Sequence, residues 1–207
     1  MSRIESLAAT SLGPEEEVLV PPHTNSVVIR DGGRADLDAV LSLLDGAVAW
    51  LEAKGRTEQW GSIPFSSDNA RREQITEFLD RHAVRIAELD GLAVGVCTLA
   101  EETPRYVAPA RERELYMHLL VTGREVRGMG VGAMLCADAL TQARRREIRL
   151  LRVDCYAGDD RALVRQYESL GFMASTNFSI DREGLKPWPG QILEMRTHET
   201  EAETHTA

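Results

Sequence analysis

"VRGMGVGAML", Val126 to Leu135, sets three glycines at every second position and then passes directly into good helix formers. The run before it, "ELYMHLLV" (Glu114–Val121), is apolar and reads as a strand. A strand, a glycine turn and a helix in that order expose unpaired backbone N–H groups at the helix start, beside the positive end of its dipole. Glycine lets that backbone approach a ligand closely, because no Cβ intervenes and positive φ is allowed. The matching chemistry is a phosphate or pyrophosphate. A Walker loop needs Gly-Lys-Ser/Thr, and no lysine stands here. A dinucleotide fingerprint needs G-x-G-x-x-G, whereas Gly128, Gly130 and Gly132 give G-x-G-x-G near mid-chain. A tight strand-to-helix corner with no ligand is the remaining alternative for the loop taken alone.

Outward from this loop, the periodicity gives the element order. "SVVIR" (Ser26–Arg30) is a first strand, and Leu37, Val40, Leu41, Leu44, Val48 and Leu51 recur at helical spacing until Gly55. Ser67 or Asp68 caps a second helix through "NARREQITEFLDRH". "AVRIAELDGLAVGVCTLAEE" reads as strand, Asp90-Gly91 turn, strand. Val131, Met134, Leu135 and Ala139 share one face of the helix after the glycines. "LLRVDCYA" is a strand, and "DDRALVRQYESLGF" a helix with Leu163, Val164, Tyr167 and Leu170 on one face and Gly171 at its C-terminal end. "FMASTNFSI" and "QILEMR" are closing strands around a loop with Pro187, Trp188 and Pro189. The order β-α-α-β-β-β-α-β-α-β-β predicts an α/β fold with a mixed sheet. The expected organisation is an irregular arm over 1–25, one domain over 26–197 and a polar tail over 198–207.

Composition narrows the function. The chain has 207 residues, 43% hydrophobic and 28% charged, which suits one globular domain. A net charge of -9 argues against nucleic acid or an anionic membrane as partner. All but two of the basic residues are arginine, the exceptions being Lys54 and Lys186. Cys97, Cys136 and Cys155 sit in apolar sequence without metal-ligand spacing, so buried thiols in a reducing compartment and no metal are expected. No apolar run is long enough for a membrane span, and the expected location is cytoplasmic.

Arg127-x-x-Gly130-x-Gly132 after an apolar strand, followed by Tyr167-x-x-x-Gly171-Phe172, resembles the GNAT superfamily of acyl-CoA-dependent N-acyltransferases. "AWLEAKGRTEQW" and "LYMHLLV" look like a bacterial, actinobacterial-type branch of it. The resemblance implies the GNAT fold, a mixed central sheet of about 6–7 strands flanked by about 4 helices. It implies acetyl-CoA as cosubstrate, with Arg127, Gly128, Met129, Gly130, Val131 and Gly132 around the pyrophosphate. It further implies main-chain contacts from Leu120, Val121 and Thr122 to the pantetheine arm, lying as an extra strand in a splay of the sheet. Asp160 stands in the family's asparagine place near that arm, and an aspartate cannot donate as an amide does. "VTGREVRG" is one residue longer than the common spacing, so a bulge is expected at the strand exit.

Acetyl transfer to an amine requires removal of a proton from nitrogen and a proton for the leaving thiolate. The resemblance puts Tyr167 at the thioester sulfur as the acid and also beside the cosubstrate; by spacing alone it also suits a core tyrosine. Glu114, Tyr116 and His118 alternate onto one strand face, which makes His118 and Glu114 the candidate bases and Tyr116 a candidate acceptor contact. Trp60 falls in the region resembling the family's acceptor edge and is the other candidate acceptor contact, while Trp50 reads as core. A cysteine nucleophile is not needed for direct transfer. The expected activity is acetyl transfer from acetyl-CoA to a primary amine of a small molecule by direct attack in a ternary complex. The alternatives are a non-catalytic acyl-CoA-binding or regulatory module of the same fold and a protein N-terminal or lysine acetyltransferase. Dimers are common in the family, so a homodimer is compatible with the reading.

Overall fold

A computed structural model describes residues 26–158 and 160–197. The arm expected over 1–25 and the tail expected over 198–207 lie outside the described residues. The order is β1 (Val28–Asp31), α1 (Leu37–Ala53), α2 (Asn69–Arg81), β2 (Ala83–Leu89), β3 (Leu92–Ala100), β4 (Glu114–Thr122), α3 (Val131–Arg145), β5 (Leu150–Tyr156), α4 (Ala162–Ser169), β6 (Met173–Ile180) and β7 (Trp188–Arg196). Seven strands form one sheet in the order β1-β2-β3-β4-β5-β7-β6. The element order read from periodicity holds, and the expected mixed sheet is present with seven strands and four α-helices.

Local chemistry explains the boundaries. Asp68 caps α2, its carboxylate accepting from the amides of Ala70 (3.0 Å) and Arg71 (3.2 Å). Asp90 and Gly91 both have positive φ, 51° and 79°, as a two-residue hairpin turn of the type that matches strand twist requires. Trp188 and Pro189, expected in a loop, open β7 instead. Proline is tolerated there because the first residues of a strand need not donate to a full ladder.

Apolar alternation sends side chains to both faces. On one face α3 and α4 cover Cys97, Leu99, Leu115, Met117, Leu151, Val153 and Cys155. On the other, α1 and α2 cover Val84, Ile86, Val96 and Val121, and the segment between β3 and β4 lays Val107 over Tyr116 and Ile192. All three cysteines are free and buried.

Only two central strands run parallel, and they separate. β4 and β5 pair over four residues, from Glu114↔Leu150 to Met117↔Val153, although β4 continues to Thr122 and β5 to Tyr156. The divergence coincides with a register shift against β3, where Thr98 faces Leu119 but Leu99 faces Met117. The extra residue puts His118 and Leu119 out of the regular alternation and bends β4 away from β5. The bulge thus lies within the strand, not at its exit as expected; Gly123 N bonds Val94 O (2.8 Å), and the longer connection is absorbed in the turns that follow.

The closed end of this fork is pinned by charge. Arg152 Nη1 donates to Glu114 Oε2 at 2.7 Å, and Arg152 Nε lies 3.4 Å from Glu194 Oε1, joining β4, β5 and β7. Thr103 and the amide of Ala110 donate to the other Glu114 oxygen, and Arg152 also donates to Ala108 O (3.2 Å). With Glu114 4% and Arg152 5% exposed, neither charge has water to replace its partner. Arg152→Leu alone should cost about 3–5 kcal/mol in denaturant unfolding, whereas the double change with Glu114→Leu should recover most of that loss.

Candidate active site

The head of the fork is the glycine turn. Gly128 and Gly130 adopt φ of 86° and 74°, and Gly130 is the N-cap of α3 with no side chain capping it. The first amide bonded back into the helix is that of Met134, to Gly130 O at 3.0 Å. The amides of Val131, Gly132 and Ala133 therefore point out of the first turn, which carries no acidic side chain. A Cβ at Gly128, Gly130 or Gly132 would meet nothing within 4 Å, so the space over the turn is open. Arg127 is exposed beside it. Arg124, which the sequence did not single out, stacks over the Trp50 ring at 4.1 Å. Trp50 is accordingly half-buried rather than core, its ring covered by a cation at the mouth of the turn. Anion chemistry fits this turn, where free amides and the positive end of the helix dipole face one open space.

From the turn the fork leads down the free edge of β4. Leu120, Val121 and Thr122 pair with Cys97, Val96 and Gly95 on the β3 side but have no partner strand on the β5 side. That edge can accept an extended amide-bearing chain, as the pantetheine reading requires.

Two faces flank the gap. On the α4 side, Tyr167 is 7% exposed and sits edge-on to Phe172 at 5.5 Å. Burial pushes its phenol well above the usual range, with the neighbouring Cys136 and Cys155 adding to the effect, so it stays protonated at neutral pH. Burial also pushes the Cys155 thiol up to about 12, which leaves it without appreciable thiolate to act as nucleophile.

On the opposite face, the residues expected on the β4 row have different fates. Glu114 is committed to Arg152, and taking a proton would break the buried pair. Tyr116 is fully buried, and its hydroxyl donates to Asp154 Oδ1 at 2.8 Å. His118 Nε2 lies 2.8 Å from Glu102 O, and since a carbonyl only accepts, Nε2 carries the hydrogen and Nδ1 the lone pair. Its ring packs against Phe78, His82 and Tyr116, with centroids at 5.6, 4.4 and 5.2 Å. Burial lowers the His118 pKa, so the imidazole is neutral at pH 7.

A cavity of about 430 Å³ lies where β5 ends, lined by Arg56 and Gln59 after α1, Tyr156, Asp160, and Arg182 and Lys186 between β6 and β7. Three bonds join the segments around it: Arg56 Nη2 to Asp160 Oδ2 (2.6 Å), Arg182 Nη1 to Glu58 O (3.0 Å) and Trp188 Nε1 to Gln59 O (3.1 Å). Asp160 also accepts from the amide of Ala162, a bond that, with Arg56, holds its carboxyl below the usual range. Its carboxylate is thus spent on the α4 start and on Arg56. Trp60 does not line this cavity; it packs on the α1–α2 core, edge-on to Phe65 at 5.7 Å. A lone tryptophan in a loop reads equally well as an anchor or a pocket wall until its neighbours are placed.

A parallel pair forked inside a mixed sheet, with an uncapped helix start at the head of the gap, defines an acyltransferase domain. The Acetyltransferase (GNAT) family model matches residues 47–172, more than half of the chain, and the chain belongs to that family. Among similar solved structures is yncA from Salmonella typhimurium with its cofactor acetyl-CoA, at 18% identity and TM-score 0.59, covering 88% of this chain and 100% of that one. The ribosomal-protein-alanine N-acetyltransferase of Brucella melitensis shares 22% identity at TM-score 0.58, covering 82% and 99%. An N-acetyltransferase of Staphylococcus aureus Mu50 shares 17% at TM-score 0.60, covering 84% and 99%. A search of curated protein sequences finds no match. Among the described residues no helix is long and apolar enough to cross a membrane.

The histidine pair gives a test of this geometry. His82 Nδ1 is buried without a partner among the described residues, and burial, with His118 and Arg81 nearby, lowers its pKa to about 4. Because the folded values lie below the unfolded one, the neutral rings contribute stability that is complete above pH about 6.5 and lost as pH falls from there toward 4. Titration of the ring NMR signals should place the His82 midpoint near 4 and that of His118 below its ordinary value. His82→Phe should flatten the fall in denaturation midpoint between about pH 6.5 and 5.

Proposed function

We propose that this acetyltransferase moves the acetyl group of acetyl-CoA onto a primary amine of a small molecule, by direct attack in a ternary complex. The observation that carries the reading is the fork. It offers uncapped amides at its head, an unpaired strand edge along its length, and a buried phenol in the core cluster on its α4 side.

In this reading Arg127 to Gly132 hold the pyrophosphate through the first-turn amides, with the Arg127 and Arg124 side chains adding positive charge. Leu120, Val121 and Thr122 hold the pantetheine amides as a missing strand would, which draws the thioester into the fork. The acceptor enters from the cavity at the end of β5. Its size, and the Arg182 and Trp188 bonds across it, suit a small molecule better than a peptide, which needs an open groove. Asp160 ties the loop after α1 to the start of α4 through Arg56, instead of facing the pantetheine.

The amine nitrogen attacks the thioester carbonyl carbon, the C–S bond breaks with its electron pair on sulfur, and Tyr167 gives its proton to that sulfur. Burial keeps this phenol protonated until the sulfur leaves, so the proton is present when the step needs it. Much of the rate comes from holding both reactants in the gap.

Thiol release from acetyl-CoA should depend on an added amine, measured over a panel containing spermidine, kanamycin and the common amino acids. Binding of CoA with no turnover on any of them would favour a non-catalytic module. Tyr167→Phe should lower kcat by about 10²–10⁴ while leaving the Kd for CoA within about threefold, as followed by the same assay and by calorimetry.

A further inference from the structure

We propose that Asp154 is the catalytic base, the group that takes the proton from the acceptor amine, with Tyr116 and Tyr106 holding its carboxylate at the mouth of the fork. The inference rests on the acetyl-transfer reading and assigns the one role that reading leaves open.

The last rung between the parallel strands is Met117↔Val153, so Asp154 is the first residue of β5 beyond it, at the point where the gap opens. Val153 and Cys155 face the α4 side, in the cluster that contains Tyr167. By alternation Asp154 faces the other way, and the gap runs between the two. Tyr167 and Asp154 therefore lie on opposite faces of the sheet, close enough that the Asp154 charge acts on the phenol. A thioester carbonyl lying in the gap would have the phenol on its sulfur side and the carboxylate on the side from which the amine arrives.

Tyr116 Oη donates to Asp154 Oδ1 at 2.8 Å and Tyr106 Oη reaches the same oxygen at 3.4 Å. Two phenols on one oxygen fix the carboxylate in place. Of the three carboxylates on this part of the face, Glu114 and Glu194 both lie within ion-pair distance of Arg152, while Asp154 has no ion pair among the described residues. Burial raises its pKa, and the Tyr116 and Tyr106 hydrogen bonds oppose that rise. The groups facing it are Tyr116 from β4, Tyr106 from the segment before it, Arg152 on its own strand and, across the sheet, Tyr167. Ile192 of β7, its rung partner, brings no charge. His118 stands one ring further back, behind Tyr116.

The step balances. Asp154 takes one proton from the ammonium, and the freed lone pair forms the N–C bond to the carbonyl carbon. The C–S pair goes to sulfur, which takes the Tyr167 proton. The surplus proton on the new amide nitrogen restores Tyr167 through solvent, and Asp154 returns its own to water.

The test is the thiol-release assay from about pH 6 to 10 with the fastest amine of the panel, alongside thermal unfolding and CoA calorimetry. Asp154→Asn should lose about 10²–10⁴ in kcat with the acetyl-CoA KM within about threefold, and its rate should keep rising with pH toward the pKa of the free amine. Tyr116→Phe and Tyr106→Phe keep the packing and remove a bond to the charged carboxylate, so each should move the acidic limb to higher pH. If Asp154→Asn does not fold, that shift decides the matter, and an unmoved limb overturns the proposal. Full kcat in Asp154→Asn also overturns it, and loss of the acidic limb in His118→Ala instead would make the histidine the base. Absence of turnover by the wild type on every amine removes the transfer reading and this role together; turnover with an undiminished Asp154→Asn removes only this role.

Discussion

The separation of β4 from β5 after Met117 and Val153 is the constraint on which the rest of the molecule turns. Two parallel strands that stay paired would leave a continuous sheet with nothing between its faces. One residue added to β4 opposite Thr98 and Leu99 is enough to end the pairing. The buried Glu114–Arg152 pair ties the two strands together over the stretch in which they stay paired. The freed edge of β4, the turn of Gly128 to Gly132 above it, and the residues of β5 that face either side of the gap are all consequences of that local mismatch.

Charge is distributed to match. At the glycine turn Arg124 and Arg127 outnumber Glu125, and the first turn of α3 has no carboxylate. On the far face, cations and carboxylates are largely paired: Arg152 with Glu114 and Glu194, Arg56 with Asp160. Asp154 is satisfied by phenols instead of a cation. A carboxylate buried among neutral donors keeps more of its basicity than one in an ion pair.

Much of the fold was legible in the sequence because its signals are local. Helical spacing in Leu37 to Leu51, the Asp90-Gly91 turn and the Asp68 cap each depend on residues a few positions apart. The places where the reading slipped depend on partners far along the chain. Trp188 and Pro189 look like loop residues until β5 and β6 are seen on either side of them. Trp50 reads as core until Arg124, from a different element, is found over its ring. Tyr116 and Trp60 carry the right chemistry for an acceptor contact, but packing withdraws Tyr116 behind Asp154 and Trp60 beside Phe65.

By itself, the sequence determined the element order, the family and the glycine turn, since strand and helix periods and positive-φ glycines are properties of short segments. Only the tertiary structure decided which polar side chains share the gap. Period two on β4 proposes Glu114 and His118 with equal force, and nothing nearby in sequence distinguishes a carboxylate bound to Arg152 from one held by two phenols. Asp154 carries no motif, and its place is fixed by β4 turning away one rung earlier and by Tyr106 and Tyr116 arriving from outside its strand. The physical reason is that burial and charge pairing arise from contacts between segments distant along the chain, whereas conformation is set largely by neighbours.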